Sequence, residues 1–145
     1  MALLRDKQFW LAIFFAFLFW VVMLLIDAPE KLQLDWPLVQ PLSFLLLALV
    51  YPVLEEMVFR GLIQGWFYQI QFGKRRAGFV SVANLLASIL FVLFHLIAHS
   101  WLWAISVFVP SIIFGYFRDK YQSVKPAILL HVVYNAGYFY LYPPI

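Results

Sequence analysis

The 145-residue chain is 66% hydrophobic and 21% aromatic, and only 12% of its residues are charged. A soluble domain usually carries about 25% charged residues, so the composition favours an integral membrane protein over a soluble one. The net charge of +3 comes from short basic clusters between apolar runs, which indicate membrane topology and not nucleic-acid binding. Because cysteine is absent, disulfides and thiolate chemistry are excluded.

The first predicted span is Phe9–Ile26, an 18-residue run without a charge that follows Arg5 and Lys7. A secretory signal peptide would have an apolar region of ~7–15 residues that ends at a small-residue cleavage site. The run is longer than that, and the Asp-Ala-Pro-Glu stretch at 27–30 supplies no such site. We therefore expect a retained transmembrane helix.

The next elements are a polar connection and four further spans. Residues 27–41 contain three prolines and several charges, which interrupt a helix. The 31 residues of Leu42–Phe72 exceed the ~20 needed to span, so this helix should project beyond the bilayer or bend near Pro52. A basic turn at 73–78 precedes the third predicted span, Phe79–Ala98. The fourth span, Leu102–Phe117, is followed by a basic loop at 118–126 and the last span, Ala127–Tyr142. Helix is expected throughout, because open strands cannot satisfy their backbone in lipid.

The basic residues predict the orientation. With a cytoplasmic N-terminus, one basic residue, Lys31, would lie outside and eight would lie inside: Arg5, Lys7, Lys74, Arg75, Arg76, Arg118, Lys120 and Lys125. The sequence therefore predicts a single domain, residues 1–145, with an all-α fold. It would be a polytopic membrane helix bundle of about five transmembrane helices, with a cytoplasmic N-terminus.

Three charges interrupt the second span, at Glu55, Glu56 and Arg60. An ionisable side chain at membrane depth costs at least ~2.5–3.5 kcal/mol, so this cluster indicates a functional site. Glu56, Arg60 and Gln64 follow one another at intervals of four, which allows Glu56 and Arg60 to pair along the helix. Glu55 points about 100° away from this ladder and is the candidate general base.

Polar residues also line up on two other predicted spans. The third span carries a stripe with steps of three or four residues: Ser81, Asn84, Ser88, Phe91 and His95. Such a stripe occupies one helix face, which should point to the bundle interior or a wet cavity. On the last span, His131 and Asn135 are four apart and share a face as well.

These groups resemble the motifs of the CAAX protease and bacteriocin-processing (CPBP, or Abi) family of glutamic intramembrane proteases. The family's Glu pair followed by Arg is matched by Glu55-Glu56-Met-Val-Phe-Arg60. Its Phe-x-x-x-His motif is matched by Phe91-Val-Leu-Phe-His95, and its His-x-x-x-Asn motif by His131-Val-Val-Tyr-Asn135. The three motifs occur in family order on separate predicted spans.

The resemblance implies hydrolysis of a peptide bond with neither a metal nor another cofactor. Glu55 and His95 would activate a water molecule, and His131 and Asn135 would stabilise the oxyanion of the tetrahedral intermediate. The supporting residues would be Glu56, Arg60 and Phe91.

The chain is short for this family and resembles the small members assigned to bacterial C-terminal sorting systems, of the myxosortase and JDVT-CTERM kind. This resemblance implies a multi-pass protein of the bacterial inner (cytoplasmic) membrane, surrounded by lipid. Its substrate would be a hydrophobic or C-terminally tailed protein, and no nucleic acid would bind. The sequence leaves the oligomeric state open.

Three other functions stay open. The chain could be a non-catalytic membrane chaperone or immunity protein that binds a hydrophobic peptide, or a small transporter or proton conductor. It could also be a zinc metalloprotease with Glu55, His95 and His131 as ligands, although the zinc-protease pattern H-E-x-x-H is absent because Leu96 follows His95.

The predicted span boundaries set His95 and His131 at different depths. His95 lies sixteen residues into its span and His131 four residues into its own. At ~1.5 Å per residue the two Cα depths would differ by roughly 18 Å. A common site would require tilted helices, a buried start to the last span, or a re-entrant 118–126 loop.

Overall fold

The computed structural model describes residues 3–26, 29 and 33–143. In chain order it contains a 3-10 turn Leu3–Arg5, α1 Lys7–Ile26, α2 Trp36–Val39, α3 Pro41–Gln69, β1 Arg76–Ala77, β2 Val80–Ser81, α4 Val82–His95, α5 Trp101–Ser106, α6 Phe108–Tyr121 and α7 Lys125–Leu141. Within α3, Leu46–Val50 and Met57–Ile63 are π-helical. The predicted all-α fold class is confirmed. Of the predicted 27–41 connection, Asp27, Ala28, Glu30, Lys31 and Leu32 lie outside the described residues.

Three helices of the described chain are long and apolar enough to cross a membrane: Lys7–Leu25, Pro41–Gln69 and Trp101–Tyr121, which joins α5 and α6. They correspond to the first, second and fourth predicted spans, so the chain is a polytopic membrane protein. The α4 helix is apolar but has 14 residues. At ~1.5 Å per residue it covers about 21 Å of a ~30 Å hydrocarbon core. The last helix, α7, has 17 residues.

The third span is shorter than predicted, because a hairpin occupies its first residues. In this hairpin Arg76 pairs with Ser81 and Ala77 with Val80, and Gly78 supplies the turn with φ 61°. Helix α4 then begins at Val82, where the Ser81 hydroxyl accepts the first-turn N–H of Asn84 at 3.0 Å. The expectation of helix throughout is therefore wrong here: the two strands satisfy each other's backbone.

The fourth span is also interrupted, at Val107. The cause is Pro110, which has no N–H to donate to the Ser106 carbonyl and whose ring crowds that oxygen. Helix α5 accordingly ends at Ser106 and α6 begins at Phe108.

Helix α6 continues to Tyr121, so the predicted loop at 118–126 is wrong over most of its length. The connection to α7 is reduced to residues 122–124. Gln122 closes the helix in the left-handed conformation, with φ 48°. Arg118, Asp119 and Lys120 are therefore residues of a helix, not of a cytoplasmic loop.

Pro52 lies inside α3, and the first π-helical segment directly precedes it. Pro52 cannot donate to the carbonyl four residues back and would clash with it in an α-helix. The wider π turn resolves this conflict, and the Tyr51 N–H bonds the carbonyl of Leu46, five residues back. Because the π turn accommodates Pro52, the helix does not end at the proline and continues to Gln69.

The chain divides into two compact units. The first unit comprises Met1–Leu54 and Leu129–Ile145, and the second comprises Glu55–Ile128. The expectation of a single domain stays a prediction.

In the first unit, hydrogen bonds connect α1 and α2 to α7. The Trp20 indole donates to the Tyr134 carbonyl at 2.9 Å, and the Tyr134 hydroxyl donates to the Ala12 carbonyl at 2.9 Å. The Trp36 indole donates to the Phe139 carbonyl at 2.7 Å. Trp36 is buried, so it is a core residue of this unit.

We expect Gly137→Ala to destabilise the protein, because a Cβ at this position would overlap the Trp20 indole, whose N–H is held by Tyr134. Overpacking of this kind costs ~1–3 kcal/mol. The matched control is Gly61→Ala, where the nearest side-chain atom, on Val124, is 3.7 Å from the new methyl group. Thermal unfolding in detergent should show a lower midpoint for Gly137→Ala only; equal midpoints for the two variants would contradict the packing.

Candidate active site

The second unit is built around the buried guanidinium of Arg60. Arg60 donates to Glu56 at 3.2 Å, to Gln64 at 3.4 Å, to Ser88 at 3.4 Å and to the Ser111 hydroxyl. Glu56, Arg60 and Gln64 are completely buried. The pairing expected from their spacing of four is present, and it extends to serines on α4 and α6.

A second buried carboxylate, Asp119, lies at the other end of this network. It accepts from Gln64 at 2.9 Å, from Arg118 at 3.0 Å and from the Ser81 hydroxyl. Gln64 also donates to the Gly115 carbonyl at 3.0 Å. The two carboxylates and two guanidinium groups of the network balance one another in charge, which offsets part of the cost of burying them.

The polar stripe of α4 faces the interior, as predicted. Ser81, Asn84, Ser88 and Phe91 are at most 2% exposed. Asn84 donates to the Ile112 carbonyl at 2.9 Å and accepts from Ser88 at 3.1 Å. A Cβ on Gly115 would overlap the Asn84 side chain, so glycine at this position permits α6 to approach α4 closely.

Sequence reasoning missed the contribution of α6, namely Ser111, Gly115 and Asp119. These residues follow one another at intervals of four and share a helix face, which is the signal that could have found them. The signal was obscured because Arg118 and Lys120 flank Asp119, and three consecutive charges are typical of a loop.

Phe91 connects the network to His95. Its ring meets Phe59 edge to face, with centroids 4.9 Å apart, and lies 5.7 Å from the Arg60 guanidinium carbon. The ring of His95 is 4.3 Å from that of Phe91. The supporting role expected for Phe91 thus has a physical basis, because it packs against the charged network on one side and the histidine on the other.

The half-buried His95 is fixed in one tautomer by the backbone. Its Nδ1 lies 2.8 Å from the carbonyl oxygen of Phe91, one turn earlier. A carbonyl can only accept, so Nδ1 carries the proton, and in the neutral imidazole Nε2 is left as the acceptor. The ring also contacts Trp103, at 5.6 Å between centroids, a residue that sequence reasoning did not assign to the site.

His99 lies beside this group, outside the spans. Its ring stacks on Trp103 with centroids 3.9 Å apart. Burial lowers the pKa of His99, so the ring is neutral near pH 7.

The half-buried Glu55 belongs to the same unit as His95. In this unit Arg60 of α3 contacts Ser88 of α4, and Phe59 contacts Phe91 and Phe94. The part of α3 that directly follows Glu55 therefore packs against the helix that ends at His95. That Glu55 and His95 act on one water molecule stays a prediction.

The remaining two predicted site residues belong to the first unit. His131 is 5% exposed, and Asn135 donates its side-chain amide to the Leu47 carbonyl at 3.2 Å. Both lie on α7, which begins two residues earlier than predicted. The other predicted site residues lie in the second unit, and the convergence of the two groups on one site stays a prediction.

We expect Asp119→Asn to destabilise the protein strongly. Asparagine presents one acceptor oxygen in place of two and leaves the buried cations undercompensated; removing one partner of a buried pair costs ~3–5 kcal/mol. The matched control is Asp35→Asn at an exposed position, which should stay within about 0.5 kcal/mol of wild type. Unfolding titrations in mixed micelles measure both, and equal midpoints would exclude a stabilising role for the Asp119 charge.

The comparisons with known proteins agree with the motifs. The family model described as type II CAAX prenyl endopeptidase Rce1-like matches residues 36–137, more than half of the chain. No curated protein and no solved structure matches. The matched range contains all three motifs, which confirms the resemblance to CAAX proteases, while the myxosortase-type subgroup stays a prediction. The chain belongs to the Rce1-like family of type II CAAX prenyl endopeptidases and is a protease of the membrane.

Proposed function

We propose that this protein is a glutamic intramembrane endopeptidase in which Glu55 is the general base. The observation that carries the proposal is the family match over residues 36–137, because this range contains the Glu pair and both histidine motifs. In the proposed reaction Glu55 takes a proton from water as the water oxygen attacks the scissile carbonyl carbon. His95 accepts a hydrogen bond from the same water through Nε2.

In the same proposal, His131 and Asn135 donate to the oxygen of the tetrahedral intermediate. The carbon–nitrogen bond then breaks, and the proton held by Glu55 passes to the leaving amine. The products are a carboxylic acid and an amine, and no covalent enzyme intermediate forms. Donors preorganised for an oxyanion are typically worth ~10²–10³ in kcat each.

Three structural observations support these roles. His95 Nδ1 donates to the Phe91 carbonyl, so Nε2 is the acceptor nitrogen of the neutral ring, as the proposed contact with water requires. The helix that carries Glu55 packs against the helix that carries His95, through the Arg60–Ser88 and Phe59–Phe91 contacts. Glu56 is bonded to Arg60, which supports a division of roles in which Glu56 neutralises Arg60 and Glu55 is the base.

We infer that the substrates are membrane-tethered proteins, with a C-terminal sorting tail or a C-terminal CAAX sequence. The exposed large apolar side chains of α1 and α3 indicate that lipid surrounds the helices, so a substrate would enter from the membrane. The basic residues support a cytoplasmic N-terminus. The bacterial inner membrane is inferred from the resemblance to the small sorting proteases. Two probes separate the substrate classes: an internally quenched farnesylated CAAX peptide and a quenched peptide with a transmembrane sorting tail.

We expect Glu55→Gln to lose activity and Glu56→Gln to lose stability. Loss of a general base lowers kcat by ~10²–10⁴, so Glu55→Gln should abolish cleavage in proteoliposomes while the unfolding midpoint is retained. Glu56→Gln should lower the unfolding midpoint, because it removes the charge that compensates Arg60. His95→Ala should lose activity as Glu55→Gln does. Full cleavage by Glu55→Gln or His95→Ala would contradict the proposed mechanism.

The same assay tests the alternatives. Among the described residues, no group of three or more His, Cys, Asp or Glu side chains could hold a metal ion. A chelator is expected to leave the rate unchanged, whereas a loss that zinc reverses would favour a metalloprotease. Tight binding of both probes without cleavage would favour a peptide-binding chaperone.

A further inference from the structure

The carbonyl of Leu47 lacks the backbone donors that an α-helix and a π-helix would each offer it. In an α-helix it would accept from the N–H of Tyr51, but that N–H bonds Leu46 instead. In a π-helix it would accept from residue 52, which is proline and has no N–H. Position 52 and the π turn together leave this partly buried oxygen available to a side chain.

The side chain that bonds it is Asn135, through Nδ2 at 3.2 Å. An asparagine amide can turn over and exchange its oxygen and nitrogen, but a carbonyl oxygen accepts only from the nitrogen. Leu47 therefore fixes the amide in the orientation that presents N–H groups. One N–H is used by Leu47, and Nδ2 carries a second.

We propose that Pro52, by denying the Leu47 carbonyl its α-helical and π-helical donors, fixes the Asn135 amide with its nitrogen bonded to Leu47 and its second N–H available to a ligand. The catalytic consequence rests on the proposed function, in which Asn135 donates its second N–H to the oxyanion. Pro52 and Leu47 are positioning residues, since they act through Asn135. In this proposal the π turn does more than accommodate the proline, because it also leaves the Leu47 carbonyl as an acceptor for Asn135.

Pro52→Ala removes this device by either of two routes. If the π turn persists, the new N–H of residue 52 donates to Leu47; if an α-helix forms instead, the N–H of Tyr51 does so. In both cases a backbone N–H competes with the Asn135 amide for the Leu47 carbonyl. The amide can then rotate by about 180° and exchange the positions of its oxygen and nitrogen. We expect kcat to fall at least about tenfold with KM unchanged, as for a misplaced oxyanion donor. The control is Pro41→Ala, at the exposed first turn of α3, where a missing N–H has no consequence.

A direct readout of the amide is available, because the sequence contains asparagine only at positions 84 and 135. Labelling with 15N-asparagine gives two side-chain NH₂ groups in detergent micelles, and Asn135→Asp identifies the signal of interest. In Pro52→Ala the Asn135 amide protons should shift upfield as their hydrogen bond to Leu47 is lost. The Asn84 signals, from an amide bonded to Ile112, should stay in place.

A second variant weakens the acceptor itself. Lactic acid in place of Ala48 converts the Leu47 carbonyl into an ester carbonyl, which accepts hydrogen bonds less well. The same replacement at the buried Ala16 of α1 is the control. Asn135 signals should shift upfield for the change at position 48 and stay in place for the control.

The outcomes separate the two proposals. Unchanged Asn135 signals in Pro52→Ala, or an unchanged kcat despite an Asn135 requirement, would overturn the positioning role. Full cleavage by Asn135→Ala, with Pro52→Ala still shifting the amide signals, would leave the positioning intact and remove Asn135 from the proposed oxyanion hole. A merely structural role for Pro52 would lower the unfolding midpoint without a selective shift at Asn135.

Discussion

The guanidinium of Arg60 is the constraint on which the second unit depends. A charge without water must be neutralised and must have its donors satisfied, since each unmet requirement costs several kcal/mol. Glu56 supplies the charge, while Gln64, Ser88 and Ser111 supply acceptors from three helices. Because these acceptors must converge on one planar group, α3, α4 and α6 are held in a single arrangement. Apolar packing in lipid would not select that arrangement, because lipid tails are as apolar as the side chains.

Phe91 connects the Arg60 network to His95. The ring packs under Arg60 and against Phe59, and the carbonyl of the same residue accepts from His95 Nδ1. A displacement of the charged network would move Phe91 and with it the imidazole. The supporting residues of the motif are therefore coupled to the histidine by contact as well as by sequence proximity.

Helical spacing predicted much of this unit and failed where local and tertiary signals disagreed. The Glu56–Arg60 pair and the buried stripe of α4 follow from intervals of three and four residues. Asp119 was assigned to a loop because its neighbours are basic, whereas Ser81 and Gln64 on other elements keep it buried in a helix. The hairpin before α4 could not be predicted from residue spacing either. Its two-residue strands leave no periodicity to detect, and only the pairing of Arg76 with Ser81 reveals them.

In helix α3 the proline is accompanied by a change of helix type and not by a simple bend. A π turn inserts one residue into the helix, which turns every following side chain by about 100° relative to an uninterrupted α-helix. Two such segments, Leu46–Val50 and Met57–Ile63, flank the short α-helical stretch Tyr51–Glu56 that carries both carboxylates. The first frees a carbonyl that Asn135 bonds, and the second contains Arg60. The direction in which Glu55 points is thus set by backbone geometry on both sides of it, and a variant that restores a regular α-helix would redirect the carboxylate without changing its chemistry.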